Sequence, residues 1–405
     1  MEFLTVNTPG LATERMQAEL LRFGKEKGNP INLLQVGWES AWRELLNIAI
    51  YRRGADVAEI GSTWLESLVA MDVLNPFSAR DIYQIGSKEV FFPAAWQNVV
   101  ASSQKDIFAI PFRADVRVIF YWKDLLEQAG VDASQAFLNN ENMVTAFTRL
   151  QKAGIAGWIA PTNDTQNTVY DISTWLWEAG GDFLSADGQQ AIINSAEAQR
   201  GAHAYFDLLR FMPEHNAPFT DASVLENFFA RRAACTVAGP WLLNSLRMEK
   251  GAEVENLLPR LGTALLPGPS FVGGTLLVSW KHSLHPAESV ELIGRLTSAE
   301  FQADYCQISG LLPVRQNLWS PEFVDGNEHL VTFYQALQKG RGLPPKALWG
   351  MIEDRLAKTI FAIWQELYAV RTPGKAVDNL DEIIAKHLNI FATRLNITLS
   401  SSNHS

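Results

Sequence analysis

Residues 2–60 switch hydrophobic period four times, and that alternation restricts the fold more than any other feature of the chain. Residues 2–7 read as a short strand, and residues 12–27 then place Met16, Leu20 and Phe23 at helical spacing before stopping at Gly28. Residues 31–36 read as a buried strand. Ser40 is placed to cap a helix whose buried face is Trp42, Leu45, Leu46, Ala49 and Ile50, with Arg52, Arg53 and Gly54 as stop signals. Residues 56–60 form the next strand. A β-α-β-α-β order of this kind predicts a parallel sheet with right-handed crossovers. Ligands of such sheets bind beyond the carboxyl ends of the strands. The segments leaving those ends are Thr8-Pro9-Gly10, Gly37-Trp38-Glu39 and Gly61-Ser62-Thr63-Trp64, which together form the expected binding rim.

The chain has 405 residues, too many for one hydrophobic core, and so predicts two α/β lobes with a cleft between them. No apolar run approaches the roughly 20 residues of a membrane span. A net charge of −10 without a Lys/Arg cluster argues against a nucleic-acid partner. The two cysteines, Cys235 and Cys306, lack metal-type spacing and are expected as buried free thiols. His282 and His285 sit beside Pro286 with no third ligand near, so no metal or other cofactor is expected. The start shows no basic region followed by an apolar one, which leaves either a removed leader or a cytoplasmic protein. Thirteen tryptophans stand out, because flat aromatic faces suit sugar rings, although packing in the core is the ordinary use of each.

Further along, residues 107–112 and 116–122 are extended, with Arg113-Ala114-Asp115 between them, as a strand passing from one lobe to the other would be. Helices are expected at 143–152, 168–179 and 196–211, and a strand at 234–237 enters Gly239-Pro240-Trp241. Residues 265–269 and 276–280 read as strands around a loop holding Gly273-Gly274-Thr275, and residues 287–308 as one helix closed by Gly310. Two long helices, at 349–370 and 376–395, end the chain.

Over nearly the whole chain these segments resemble the family 1 extracellular solute-binding proteins of ABC importers, whose best-known members bind maltose and trehalose. Gly54-Ala-Asp-Val-Ala-Glu-Ile with Trp64 and Leu74-Asn-Pro-Phe77 is similar to the family's early stretch. Ile110-Pro-Phe with Tyr121-Trp-Lys-Asp-Leu-Leu and Ala129-Gly130 is similar to its P-x…Y-N-K-D-L-F…A-G, and Phe228 through Gly239-Pro-Trp241 to its F…G-P-W. Gly273-Gly-Thr275 resembles a cleft-lining loop, and Leu296-Thr-Ser-Ala-Glu-Phe-Gln with Gly310-Leu-Leu-Pro-Val-Arg315 the helix and return crossover. Arg231, Cys235 and Trp122 depart from the family pattern of Gly, Met and Asn, which leaves the subfamily open. The resemblance implies a two-lobed periplasmic-binding-protein fold of class II type, with three crossovers and a hinge. It places one lobe at 1–112 plus 262–312, the other at 116–258 plus 316–405, and the crossovers at 113–115, 259–261 and 313–315. It further implies a periplasmic or extracytoplasmic monomer that passes a small carbohydrate or polyol to the transmembrane subunits of an ABC permease.

A polyol is held by polar side chains that replace its hydration, with its rings packed on aromatics. Trp38 and Glu39 meet that need at a strand's carboxyl end, or else serve as helix flank and helix-terminal charge. Ser62 and Thr63 line the same rim or cap the next helix. Arg113, with Asp115 two residues on, either faces the cleft or pairs with Asp115. Trp175 and Glu178 share one helical face and Trp177 points elsewhere, so one of the two tryptophans is the expected platform. Trp241 opens a helix after a Gly-Pro turn. By the resemblance Gly273, Gly274 and Thr275 line the cleft, Arg315 follows the last crossover, and Trp349 stands at the family's stacking aromatic.

A carbohydrate-active enzyme is the rival class, since tryptophan with carboxylates is also hydrolase chemistry. Such an enzyme needs two carboxylates roughly 5–9 Å apart. Glu39, Asp56, Asp115 and Glu178 fall in no motif that pairs them, and no Ser-His-Asp, phosphate-loop or HExxH signature is present. The expectation is therefore a binding protein without catalysis; a receptor of the same fold for a non-sugar ligand is the remaining alternative.

Overall fold

The computed structural model describes residues 1–6, 11–99, 106–215, 217–324, 326–343, 346 and 348–402. Ten strands occur among them: β1 (Glu2–Val6), β2 (Asn32–Val36), β3 (Val57–Gly61), β4 (Ala109–Val116), β5 (Val118–Trp122), β6 (Trp158–Ile159), β7 (Cys235–Ala238), β8 (Leu261–Ala264), β9 (Val272–Ser279) and β10 (Leu312–Pro313). They form a six-stranded sheet of order β10-β4-β9-β3-β1-β2 and a four-stranded sheet of order β6-β7-β5-β8. Helices Leu11–Lys27 and Trp38–Tyr51 connect β1 to β2 and β2 to β3, which are parallel as their periodicity demands. The rest of the larger sheet is antiparallel, β9 pairing with both β3 and β4.

The chain divides into two compact units, Met1–Val116 with Val272–Asp325 and Gly342–Gly350, and Arg117–Phe271 with Gly326–Arg341 and Met351–Ser405. The boundaries differ from those expected at 113–115, 259–261 and 313–315, each of which lies inside one unit. Strand pairing explains the shift. Gly262 and Thr263 sit on β8 opposite Tyr121 and Phe120 of β5, which draws 262–271 into the second unit. Gln316 donates to the carbonyl of Phe91 at 2.6 Å, and Arg315 to that of Ile85 at 2.5 Å, which keeps the following stretch in the first.

In the first unit Leu4, Leu45, Ile60, Leu68, Leu276 and Trp280 belong to one apolar cluster between helix and sheet. Strand β2, expected as buried, is the edge of its sheet and largely exposed, Leu34 included. An apolar run does not reveal whether a strand has one neighbour or two. The single helix expected over 287–308 is two helices, Pro286–Leu296 and Ala299–Ser309. The break is local: the Ser298 hydroxyl caps the second helix by accepting from Phe301 N at 3.2 Å, while Thr297 Oγ1 donates back to the Ile293 carbonyl at 2.8 Å. Both cysteines are buried and unpaired, and burial drives the Cys306 thiol up to about 12. No helix among the described residues is long and apolar enough to cross a membrane.

Buried Glu19 stands among three guanidinium groups, with Arg15 at 3.0 Å, Arg22 at 2.9 Å and Arg295 at 2.6 Å. Burial pushes its carboxyl up, but the hydrogen bonds from Arg15, Arg22 and Arg295 outweigh burial and hold it below the ordinary 4.5. A carboxyl whose pKa is lower in the folded state contributes stability above its unfolded value, and that contribution disappears as pH falls through the folded one. Glu19→Gln should therefore lower the melting temperature at pH 7 and flatten its decline below about 4.5. Melting curves at a series of acidic pH values check this; the same slope in both proteins would refute the assignment.

Candidate functional site

Two faces carry the expected chemistry, one on each unit. In the first unit, β2 ends just before Gly37 and β3 ends at Gly61, and each strand end feeds directly into helical backbone. Gly37 is extended (φ −75°, ψ 155°) ahead of the helix, so Trp38 emerges at the strand's carboxyl end and is 46% exposed. Its ring meets Trp64 edge-on at 5.7 Å, and Trp64 also lies 5.7 Å from Trp42. Gly61 permits this packing, because a Cβ there would come within 3.2 Å of the Trp64 ring. Ser62 and Thr63 are half-exposed in the short turn Ser62–Trp64, and the helix that follows, Leu65–Ala70, has no side-chain cap. The structure thus brings Trp38, Ser62 and Thr63 to one strand end and adds Trp64, which sequence reading placed on the rim without singling it out. The side chain of Glu39 and the segment Thr8-Pro9-Gly10 lie outside the described residues.

The second unit presents a different arrangement. Arg117, just past β4, is buried with its guanidinium 5.6 Å from the Tyr170 ring and 5.7 Å from the Trp241 ring. The Tyr170 ring in turn stacks flat on Phe271, at 4.3 Å and 2°. Arg117 Nη2 donates to Asn167 Oδ1 at 2.8 Å, and Asn167 Nδ2 donates to Asp221 Oδ1 at 2.9 Å. The other Asp221 oxygen accepts from the Thr165 hydroxyl, also at 2.9 Å. Trp241 is half-buried and opens the helix Trp241–Lys250, as its Gly-Pro turn predicts. The result is a file of aromatic rings with a guanidinium between two of them, tied to a carboxylate by an amide. Sequence reading missed Arg117, Asn167, Tyr170 and Asp221. Tyr170 shares a helix with Trp175 and could have been weighed beside it; nothing local marks the others, which meet only through tertiary contacts.

Several expected site residues serve the structure instead. Trp175 is fully buried, 5.9 Å from Trp158 and 5.2 Å from Tyr205, so it is core and no platform. Trp177 is also buried, edge-on to Phe183 with Arg341 5.0 Å over its ring; neither member of the pair is exposed. Glu178 is exposed and accepts from Asn140 Nδ2 at 2.8 Å. Helical spacing placed it beside Trp175, but one sits inside the core boundary and the other outside it. Trp349 is 2% exposed and belongs to the first unit, which removes both the exposed platform and its expected place on the same lobe as Trp241.

Arg113 is buried. It forms an ion pair with Glu59 and donates to the Val6 carbonyl at 3.0 Å and to Thr275 Oγ1 at 3.3 Å. Arg315 is likewise buried, donating to the carbonyls of Thr297 and Ile85 with its guanidinium 5.4 Å over Phe91. Gly273, Gly274 and Thr275 lie within β9 rather than in a loop, and Thr275 is buried. At Gly274 (φ 130°) a Cβ would stand 2.0 Å from the Arg113 carbonyl oxygen, so glycine there serves the strand crossing. Asp115 is half-buried on β4, in register with Gly273.

Two mixed α/β units, each with an aromatic and polar face at its strand or helix ends, define a two-lobed binding protein. The chain belongs to the bacterial extracellular solute-binding proteins, whose family model matches residues 21–332. It is similar to a probable ABC transporter-binding protein of Deinococcus radiodurans, 23% identical over 300 residues that cover 69% of this chain and 68% of the relative. Its fold is that of the GacH receptor of Streptomyces glaucescens, solved unliganded and with acarbose (TM-score 0.78, 19% identity, 97% of this chain and 98% of that one). It is equally that of the sugar-binding protein MalE from Xanthomonas citri (TM-score 0.78, 21% identity, 98% of each chain).

Proposed function

We propose that this protein captures a sugar or polyol outside the cytoplasm, as a monomer, and delivers it to the transmembrane subunits of an ABC importer without altering it chemically. The observation that carries the reading is the Phe271–Tyr170–Arg117–Trp241 file, with Asn167 bonded to its guanidinium and Asp221 bonded in turn to the Asn167 amide. Half-buried aromatic rings offer apolar faces to C–H groups, and a carboxylate with an amide offers acceptors and donors to hydroxyls. Trp38 and Trp64 supply a second aromatic surface, beside the Ser62 and Thr63 hydroxyls. The acarbose complex of the GacH receptor and the sugar-binding MalE support the choice of ligand class, and the net charge of −10 supports a solute over nucleic acid.

A thermal-shift panel of maltose, trehalose, D-tagatose, ribitol and spermidine tests this. A sugar or polyol at a hundredfold excess over its dissociation constant should add about 2.7 kcal/mol to stability. Incubation with that ligand should return it unchanged. A shift with spermidine alone would overturn the ligand class, and product beyond stoichiometry would overturn the receptor reading.

A further inference from the structure

The second unit holds a partly open cavity of about 10 Å³, room for one water-sized group. Arg117, Asn167, Asp171, Asp221 and Thr236 line it together with Trp241. Thr236 lies on β7, fully buried, and its hydroxyl finds no hydrogen-bond partner among the described residues. A buried hydroxyl without a partner is costly, and native interiors satisfy such groups with side chains or bound water. Asp171 and Asp221, in the same lining, supply carboxylate acceptors. A single oxygen in the cavity could accept from Thr236 and donate to a carboxylate at the same time, which only a water or an alcohol can do.

We infer that this cavity is a single-hydroxyl subsite, filled by one water in the free protein and by one hydroxyl of the solute when it binds. The inference rests on the sugar or polyol reading above, because Arg117, Asn167, Asp221 and Trp241 belong to both the cavity and the candidate face. Its volume admits an oxygen and excludes a hydroxymethyl or acetamido group, so Thr236 and Asp171 act as specificity determinants at one carbon of the ligand.

The test uses Thr236→Val, which removes the hydroxyl at constant shape, with Thr236→Ser as the variant that keeps it. In the free protein Thr236→Val should lower the melting temperature; an unchanged or raised value would show dry packing and overturn the inference. Calorimetry with whichever of maltose, trehalose, D-tagatose or ribitol binds should show about a tenfold weaker association for Thr236→Val and little change for Thr236→Ser. Among monodeoxy analogues of that ligand, one should lose the same factor against the wild-type protein and be insensitive to Thr236→Val. Unchanged affinity in Thr236→Val would reduce the cavity to a structural water site and overturn the subsite. If none of the four probes binds, the sugar reading fails, while the melting temperatures still decide whether the cavity is a polar site.

Discussion

Replacing Glu59 by Ala should destabilise the protein by about 3–5 kcal/mol, because it strands a buried guanidinium. Glu59 is wholly inaccessible, and its carboxylate is the partner of buried Arg113. It also accepts from the Thr5 hydroxyl at 2.5 Å and from Val6 N at 3.1 Å. The pair therefore ties the end of β1 to β3 and β4, and Thr275 on β9 completes it through its bond to Arg113. Arg113→Met should cost a similar amount by leaving the carboxylate buried. Removing both charges, Glu59→Leu with Arg113→Met, should recover part of the loss, since an apolar pair avoids the desolvation that the charges suffer. Urea unfolding of the two single variants and the double one measures the coupling. Additive losses would mean that the pair is no unit.

Trp175→Ala and Trp241→Ala should fail in opposite ways. Trp175 is packed on all sides by the core of the second unit, so its truncation should cost about 3–5 kcal/mol of stability and leave affinity per folded molecule unchanged. Trp241 is half-buried beside Arg117, and its loss should remove a ring from the ligand face with a much smaller drop in melting temperature. Binding of the panel ligand should weaken by about one to two orders of magnitude in Trp241→Ala, as for a stacking anchor. Melting temperature and calorimetric affinity of each variant settle the assignment. A Trp241→Ala protein that melts early but binds normally would move Trp241 into the core beside Trp175.

Local periodicity was enough to reveal β1, β2, β3 and the two helices between them, because neighbours along the chain alone set a period of two or 3.6. The turn chemistry of Gly239-Pro240 likewise marked Trp241 as the start of a helix, and the spaced motifs pointed to the family that the model match confirms. What the sequence could not express was which of several equivalent residues meets solvent. Trp38, Trp175, Trp241 and Trp349 are chemically alike, yet they range from half-exposed to fully enclosed. That difference arises from the layers packed around each ring, contributed by residues far away in the chain. The same holds for charge. Arg113 was read against its neighbour Asp115, but the sheet order sets it beside Glu59, 54 positions away, where the low polarity of the interior makes pairing obligatory. Arg117, Asn167 and Asp221 span more than a hundred positions and become a site only when β7, the helix Asn167–Glu178 and the helix Asp221–Phe229 are packed together. Period and turn are properties of adjacent residues; burial and juxtaposition belong to the folded chain, and the site consists of the latter.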